Sequence, residues 1–297
     1  MSNLENKIRR REFVITAEIV PPLSASGAKL LAEAQLLREG VDAINVTDAA
    51  SGRTTMSSFA AAALLAANGF EPILQVTCRD RNRIALAGDL LGAAAHGVQN
   101  LLILKGDDPS GGDQPTAKPV FDLDTVGLMT MARDMSRNGT LPSDRKIEPP
   151  PAFFIGGADV PRVPDENWKA APLLSKADAG AGFIQTQFCF DLDLARSYID
   201  RLQREGITER LGVIIGVGPI RSGKSARWMN ENLFGVHVPD AVIQRLDGAA
   251  DAPAEGRRIC VELIAGLREI PGVAGAHIMA PAQSAIAIAH VLESIAA

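Results

Sequence analysis

FVITAEIVPPLSASG, residues 13–27, decides how the rest of the chain is read. It opens as an apolar run of strand length, β-branched at Val14, Ile15, Thr16, Ile19 and Val20, with turn residues directly behind it. Side chains alternate faces along a strand, so Thr16 and Glu18 share one face while Ile15, Ala17 and Ile19 share the other. A doubly wound nucleotide-binding sheet usually carries a glycine-rich fingerprint after its first strand; the turn here is PPLSASG, which lacks that spacing.

Working outward, seven more runs of this kind follow: DAINVTD (42–48), EPILQVTC (71–78), NLLILKGD (100–107), AFFIGGA (152–158), GFIQTQF (182–188), LGVIIGV (211–217) and AGAHIMA (274–280). The stretches between them have helical periodicity, at 28–39, 56–69, 82–96, 123–136, 167–179, 192–205 and 224–233. A helical insertion at 239–270 precedes the last strand, and residues 283–296 close the chain as a helix. Strict alternation predicts a parallel sheet, and eight units is the number that closes a (β/α)8 TIM barrel. The expectation is an α/β fold with one barrel domain over 1–297. The Gly/Pro/Asp-rich segments 107–119 and 138–151 read as barrel loops, only the first on the side where barrel active sites sit.

Bulk properties narrow the function. With 46% hydrophobic and 22% charged residues, the 297-residue chain has material for a large core and is not a disordered type. A net charge of −5 argues against nucleic acid as a partner, since such affinity rests on a basic surface. Cys78, Cys189 and Cys260 form no CxxC pair, which fits a reducing cytoplasm. His96, His237, His277 and His290 show no ligand spacing, so no metal is expected. The start, MSNLENKIRRREF, has no apolar leader region, and no apolar run has the length of a membrane span.

Glu18 is the residue that least fits a bland core. In a barrel its face points into the lumen near the mouth, where a carboxylate is costly unless it is paired or functional. Partial desolvation favours the protonated form of a carboxyl group, the form a general acid needs. The plain alternative is an ion pair with a lumen lysine or arginine. Other strands end in polar groups too: Asn45 and Thr47, Gln75 and Thr77, Lys105 and Asp107, Gln185 and Gln187. In a barrel those ends converge on one rim. CRDRNR (78–83) sets Arg79, Arg81 and Arg83 at a helix start, either as a solvated charged face or as an anion contact. GPIRSGKS (218–225) matches the P-loop pattern, but too little chain follows Ser225 to complete a nucleotide hydrolase, and no later strand ends in the aspartate that would help hold Mg²⁺.

Six segments in order resemble one family. AEIVPP (17–22), NVTD (45–48), QVTCRDRN (75–82), LKGDDP (104–109), KADAGAGFIQTQFCFD (176–191) and GVGPIRS (216–222) are similar to the motifs of the methylenetetrahydrofolate reductases. The resemblance runs over about residues 13–295, and GVGPIRS explains the P-loop look-alike as a family turn. It implies a TIM-barrel oxidoreductase carrying FAD, with FMN as the alternative, and NADH or NADPH as co-substrate. Hydride passes to the one-carbon bridge of methylenetetrahydrofolate, giving 5-methyltetrahydrofolate, or the reverse.

By motif, the resemblance makes Glu18 the acid that protonates folate N10. Asp107 contacts the pterin and tunes the flavin. Gln187 and Phe188 bind the folate. Thr47, Gln75, Thr77, Lys105, Gly106, Asp107, Lys176 and Ala181 fall at or beside flavin contacts. It also implies a homo-oligomer, with a partner subunit to complete the electron path as a further option. The chain departs from the family at several places. Gln75 stands where a histidine is usual, and Lys105 where arginine is common. GGADVPRVPDENW (156–168) lacks a usual Tyr and His, and Lys169 and Pro172 replace an Asp and an Arg. Gly223 falls where an aromatic is usual, which leaves Phe188 or Trp228 as substitutes. The rival readings are a non-redox barrel enzyme on a pterin or phosphorylated substrate, and a subunit that has lost its chemistry.

Overall fold

The computed structural model describes residues 1–165, 167–281 and 283–296. Eight parallel strands close into a barrel in sequence order. They are β1 (Val14–Ile19), β2 (Ala43–Val46), β3 (Pro72–Thr77), β4 (Asn100–Leu104), β5 (Phe154–Asp159), β6 (Ala181–Phe188), β7 (Gly212–Val217) and β8 (Val273–Ile278). Each strand lies within a few residues of its expected position, and bulges interrupt the two-residue alternation only in the pairings of β5 with β6, β6 with β7 and β7 with β8 among the described residues. The chain has a TIM-barrel fold.

The helices are α1 (Asn3–Arg9), α2 (Ala28–Gln35), α3 (Ser58–Ala67), α4 (Arg83–Ala95), α5 (Thr125–Arg137), α6 (Ala171–Asp178), α7 (Leu192–Arg204), α8 (Gly223–Asn232), α9 (Asp240–Gly248), α10 (Ala252–Arg268) and α11 (Ala285–Ala296). The expected insertion at 239–270 needs correcting. α10 packs on β7 and β8 and beside α7 and α11, so it is the regular barrel helix of the seventh unit. The excursion is α8 and α9, which pack mainly on each other and on α10. Periodicity finds all three helices but cannot tell which of them touches the sheet.

Strand parity divides the apolar side chains in two. Ile15, Ala17, Ile44, Val46, Leu74, Val76, Ile184 and Ile215 face outward into the main core beneath the helices. Val14, Ala43, Ile73, Leu102, Phe154, Phe183 and Ile214 fill the floor of the lumen. There Phe154 and Phe183 stack with centroids 5.0 Å apart. The rings fit because the neighbouring strands carry glycine: a Cβ on Gly156 would overlap the Phe183 ring, and one on Gly182 the Phe154 ring.

The sequence reading contained no helix before the first strand; α1 is there and seals the floor. Leu4, fully buried, packs into the lumen cluster with Ile8 at its edge. The helix start is held by charge and capping. Ser2 caps it, and the Glu71 carboxylate accepts the amides of Asn3 at 2.9 Å and Leu4 at 2.8 Å. An anion there complements the helix dipole. Helix α1 thus covers the floor at the pole opposite the C-terminal strand ends.

The three cysteines are all buried and free. Burial pushes the Cys78 and Cys189 thiols up to about 11, and Cys260, fully enclosed, is raised as well. Each raised thiol therefore stays protonated and unreactive at pH 8. Native protein at that pH is expected to react negligibly with a chromogenic disulfide reagent and to release all three thiols after denaturation; rapid reaction of the native protein would contradict the burial.

Candidate active site at the barrel mouth

Glu18 points into the lumen at its open end, as strand parity requires. Three N–H-bearing groups converge on one oxygen, Oε2. Asn45 Nδ2 donates at 3.3 Å and Gln75 Nε2 at 3.5 Å, and His277 Nε2 lies 3.8 Å away. No lysine or arginine neutralises the carboxylate in the structure, so the ion-pair account of Glu18 is set aside among the described residues. The side chain is 20% exposed and lines a hollow of about 350 Å³. Asn45, Gln75, Gln185, Gln187 and His277 line the same hollow, floored by Leu102 and Leu104.

Polar atoms here lack protein partners. Asn45 Oδ1, Thr47 Oγ1 and Gln185 Oε1 are buried with no hydrogen bond. Buried polar groups are nearly always satisfied, so three such atoms around one mouth suit a ligand rich in N–H and carbonyl groups. A flavin ring or a pterin presents that kind of edge. Among the described residues no cluster of three His, Cys, Asp or Glu side chains could hold a metal.

The other sequence-expected residues sort into several places. Gln187 lines the hollow, and its Oε1 accepts the Phe188 amide at 3.0 Å. Thr77 is buried at the top of β3, with its hydroxyl donated to Asp48 Oδ2 at 2.9 Å. Gly106 adopts φ +91 and packs against Arg79 and Thr77, turning the chain outward. Lys105 is exposed and reaches to 5.9 Å from the Phe121 ring.

Asp107 does not share the hollow with Glu18. It is exposed on the rim, and its carboxylate accepts the Ser51 amide at 2.6 Å. The left-handed turn at Gly106 and the Arg79 guanidinium, which donates to the Asp107 carbonyl at 3.1 Å, hold it there. Lys176 donates to the Ala158 carbonyl. Burial lowers its pKa, opposed by nearby Asp159. Ala181 begins β6, at the strand end opposite the mouth, and packs in the outer core. It lies within the family block, but at the first of the eight residues of β6, the strand end far from the mouth.

The arginines of CRDRNR hold the rim together. Arg79, 2% exposed, bonds Asp80 and the Ala49 and Asp107 carbonyls. Arg81 pairs with Asp48 and Asp89, and Arg83 with Asp122. Arg79 and Arg81 are therefore neither a solvated face nor free anion contacts, whereas Arg83 is exposed and engaged by Asp122. Each ties one strand-end loop to the next.

A second hollow, about 680 Å³, lies beside the first between the ends of β6, β7 and β8 and α8. Phe188, Ile220, Trp228 and Met229 give it apolar walls, and Arg221 and Lys224 add cations. Met279 lines both hollows. Phe188 stacks on Phe190 at 5.4 Å and is buried, whereas Trp228 is 53% exposed. The P-loop look-alike forms part of this wall. Ser222 caps α8 by accepting the Ser225 amide at 3.1 Å, and a Cβ on Gly223 would collide with the Asp247 carboxylate. The missing aromatic at Gly223 therefore leaves room for an acidic neighbour from α9.

His277 is the residue that sequence reasoning missed. It was weighed only as a metal ligand; the parity argument that singled out Glu18 also puts His277 of AGAHIMA inside.

The family model described as methylenetetrahydrofolate reductase matches residues 3–295. A probable methylenetetrahydrofolate reductase (NADPH) of Caenorhabditis elegans is 25% identical over 256 residues, covering 82% of this chain and 36% of the relative. The 5,10-methylenetetrahydrofolate reductase of Salmonella typhimurium is 28% identical over 195 residues, 64% of this chain and 57% of the relative. The matches thus span between about a third and just over half of these relatives' lengths. Among solved structures, an uncharacterized protein from Clostridium thermocellum that binds two copies of 5-methyl-5,6,7,8-tetrahydrofolic acid superposes with a TM-score of 0.65 at 15% identity, covering 99% of each chain. That likeness is one of fold.

Proposed function

The chain belongs to the methylenetetrahydrofolate reductase family, and on that premise we propose that it is a flavin-dependent reductase of 5,10-methylenetetrahydrofolate, acting as one catalytic barrel. The observation that carries the proposal is Glu18 in the open lumen, with no lysine or arginine partner among the described residues and facing a hollow edged by unsatisfied polar atoms. A bound flavin supplies the hydride, taken from NADH or NADPH, to the one-carbon bridge. Thr47, with its unsatisfied hydroxyl, and Gln75, beside Glu18, fit the polar edge of such a ring. FAD is the proposed form.

The chain's own chemistry is a proton transfer. Glu18 gives its proton to folate N10; the N10–C bond breaks with its electron pair going to N10, and the bridge becomes an iminium at N5. Asn45 and Gln75 receive the negative charge left on Oε2. Gln187 orients the pterin from the far wall of the hollow. Lumen depth keeps the reacting atoms away from bulk water and holds them in contact, the main needs of a hydride transfer. The Clostridium protein of the same fold binds 5-methyl-5,6,7,8-tetrahydrofolic acid, which is consistent with a folate substrate here.

The second hollow suits the rest of the substrate. Trp228 and Phe188 offer apolar surface to the aminobenzoyl ring, and Arg221 and Lys224 offer charge to the glutamate carboxylates. Trp228→Ala is expected to raise the folate KM about tenfold with kcat little changed, the loss typical of one aromatic contact. A steady-state measurement that finds KM unmoved would place the tail elsewhere.

The test of the whole proposal is an absorbance spectrum of the purified protein titrated with FAD and with FMN, followed by NADH and then methylenetetrahydrofolate. Flavin uptake, bleaching by NADH and folate-linked turnover are expected. A spectrum unchanged by either flavin favours a non-redox barrel enzyme.

A further inference from the structure

Behind Glu18 the lumen wall holds a histidine that the proton transfer leaves unused. His277 of β8 is 2% exposed. Its Nδ1 lies 2.9 Å from Thr16 Oγ1, and its Nε2 lies 3.8 Å from Glu18 Oε2. Thr16 Oγ1 accepts in turn from Gln185 Nε2 at 3.4 Å. The arrangement follows from the barrel register. Thr16 pairs directly with His277 across β1 and β8, and Glu18 sits two residues on, on the same lumen face.

The direction of this chain follows from charge. A neutral imidazole has one N–H and one lone pair. A lone pair on Nε2 would face the electron-rich carboxylate in a partly desolvated wall, where repulsion is poorly screened. The N–H therefore belongs on Nε2, and Nδ1 is the acceptor. Thr16 then donates its hydroxyl proton to Nδ1, and its oxygen is free to accept the Gln185 amide. Every bond runs toward Glu18. Oε2 is thereby faced by N–H groups of Asn45, Gln75 and His277. Among the described residues no group bonds Oε1.

We propose that Thr16 and His277 are positioning residues that lock the His277 Nε2–H tautomer against Glu18, committing Oε2 to the wall and leaving Oε1 as the oxygen that carries the proton to substrate. The inference rests on the reading of Glu18 as the acid. When the Oε1–H bond breaks and N10–H forms, the charge left on the carboxylate meets N–H donors already in place, with no reorganisation. Removing the Thr16 hydroxyl frees the imidazole to turn a lone pair on the carboxylate.

The first readout needs no substrate. In 15N-labelled protein, long-range 15N–1H correlation of the imidazoles, with His277 assigned by the signal missing in His277→Asn, is expected to show Nε2 protonated and Nδ1 bare. A protonated Nδ1 with a bare Nε2 overturns the proposal. The second readout is kinetic. Thr16→Val is expected to lower folate-linked kcat about tenfold with the folate KM unchanged, the scale of one hydrogen bond to a charged network. Thr16→Ser, which keeps the hydroxyl, is expected to restore it. His277→Gln, whose amide can reach the Nε2 position, should retain more activity than His277→Asn. If Glu18→Gln is inactive while Thr16→Val turns over like the wild type, the positioning role fails and the acid stands. If Glu18→Gln itself stays active, the parent reading fails.

Discussion

Glu18→Gln is expected to lose folate reduction by about 10²- to 10⁴-fold, the usual worth of a general acid, while still taking up flavin and accepting hydride from NAD(P)H. The amide keeps the shape of the carboxyl and can still accept from Asn45 and Gln75, so neither the barrel nor the hollow should move. It cannot release a proton to N10. The effect must therefore fall on kcat of the folate half-reaction and spare the nicotinamide half-reaction. Stopped-flow absorbance at the flavin band separates the two: reduction by NADH should keep its wild-type rate, and reoxidation by methylenetetrahydrofolate should nearly stop. Wild-type reoxidation in the variant would remove Glu18 from the chemistry.

Leu4→Ala is expected to cost about 3 kcal/mol of stability, within the range for emptying a buried leucine site. Leu4 is fully buried in the floor cluster, among Phe154, Phe183 and Ile214. Barrel strands are hydrogen-bonded on both sides and cannot collapse into the gap, which favours the full cavity penalty. The denaturant midpoint should fall with little change in slope, since the surface exposed on unfolding is nearly the same. Folate kinetics should be unaffected, because the floor lies at the pole opposite the mouth. A drop well under about 1 kcal/mol, less than an ordinary large-to-small core change, would mean that α1 is not an integral plug.

How much of this was legible in the residues varies with the range of the interaction. The eight strands were legible because alternation is local: Val14, Thr16 and Glu18 against Ile15, Ala17 and Ile19 carries its own face assignment. Helix α1 was not, because a seven-residue polar helix has almost no signal of its own. It exists by capping on Glu71 and by burying Leu4 in a floor built from distant strands. The same distinction explains α10, whose role depends on which sheet it touches.

The site divides likewise. That Glu18, Gln75 and Gln187 line one mouth follows from parity plus barrel closure, both readable in the chain. Where Asp107, Arg79 and Lys176 point does not follow. Each sits at or beyond a strand end or on a helix, where direction is set by partners far away: the Ser51 amide, the Ala49 carbonyl and the Ala158 carbonyl. The amino-acid order by itself determined the barrel and the in-or-out sense of the strand residues away from the bulges of β5–β8, because a two-residue period leaves only two choices. Only the tertiary structure decided which polar groups meet, above all His277 against Glu18, because that contact is made by closing the last strand onto the first.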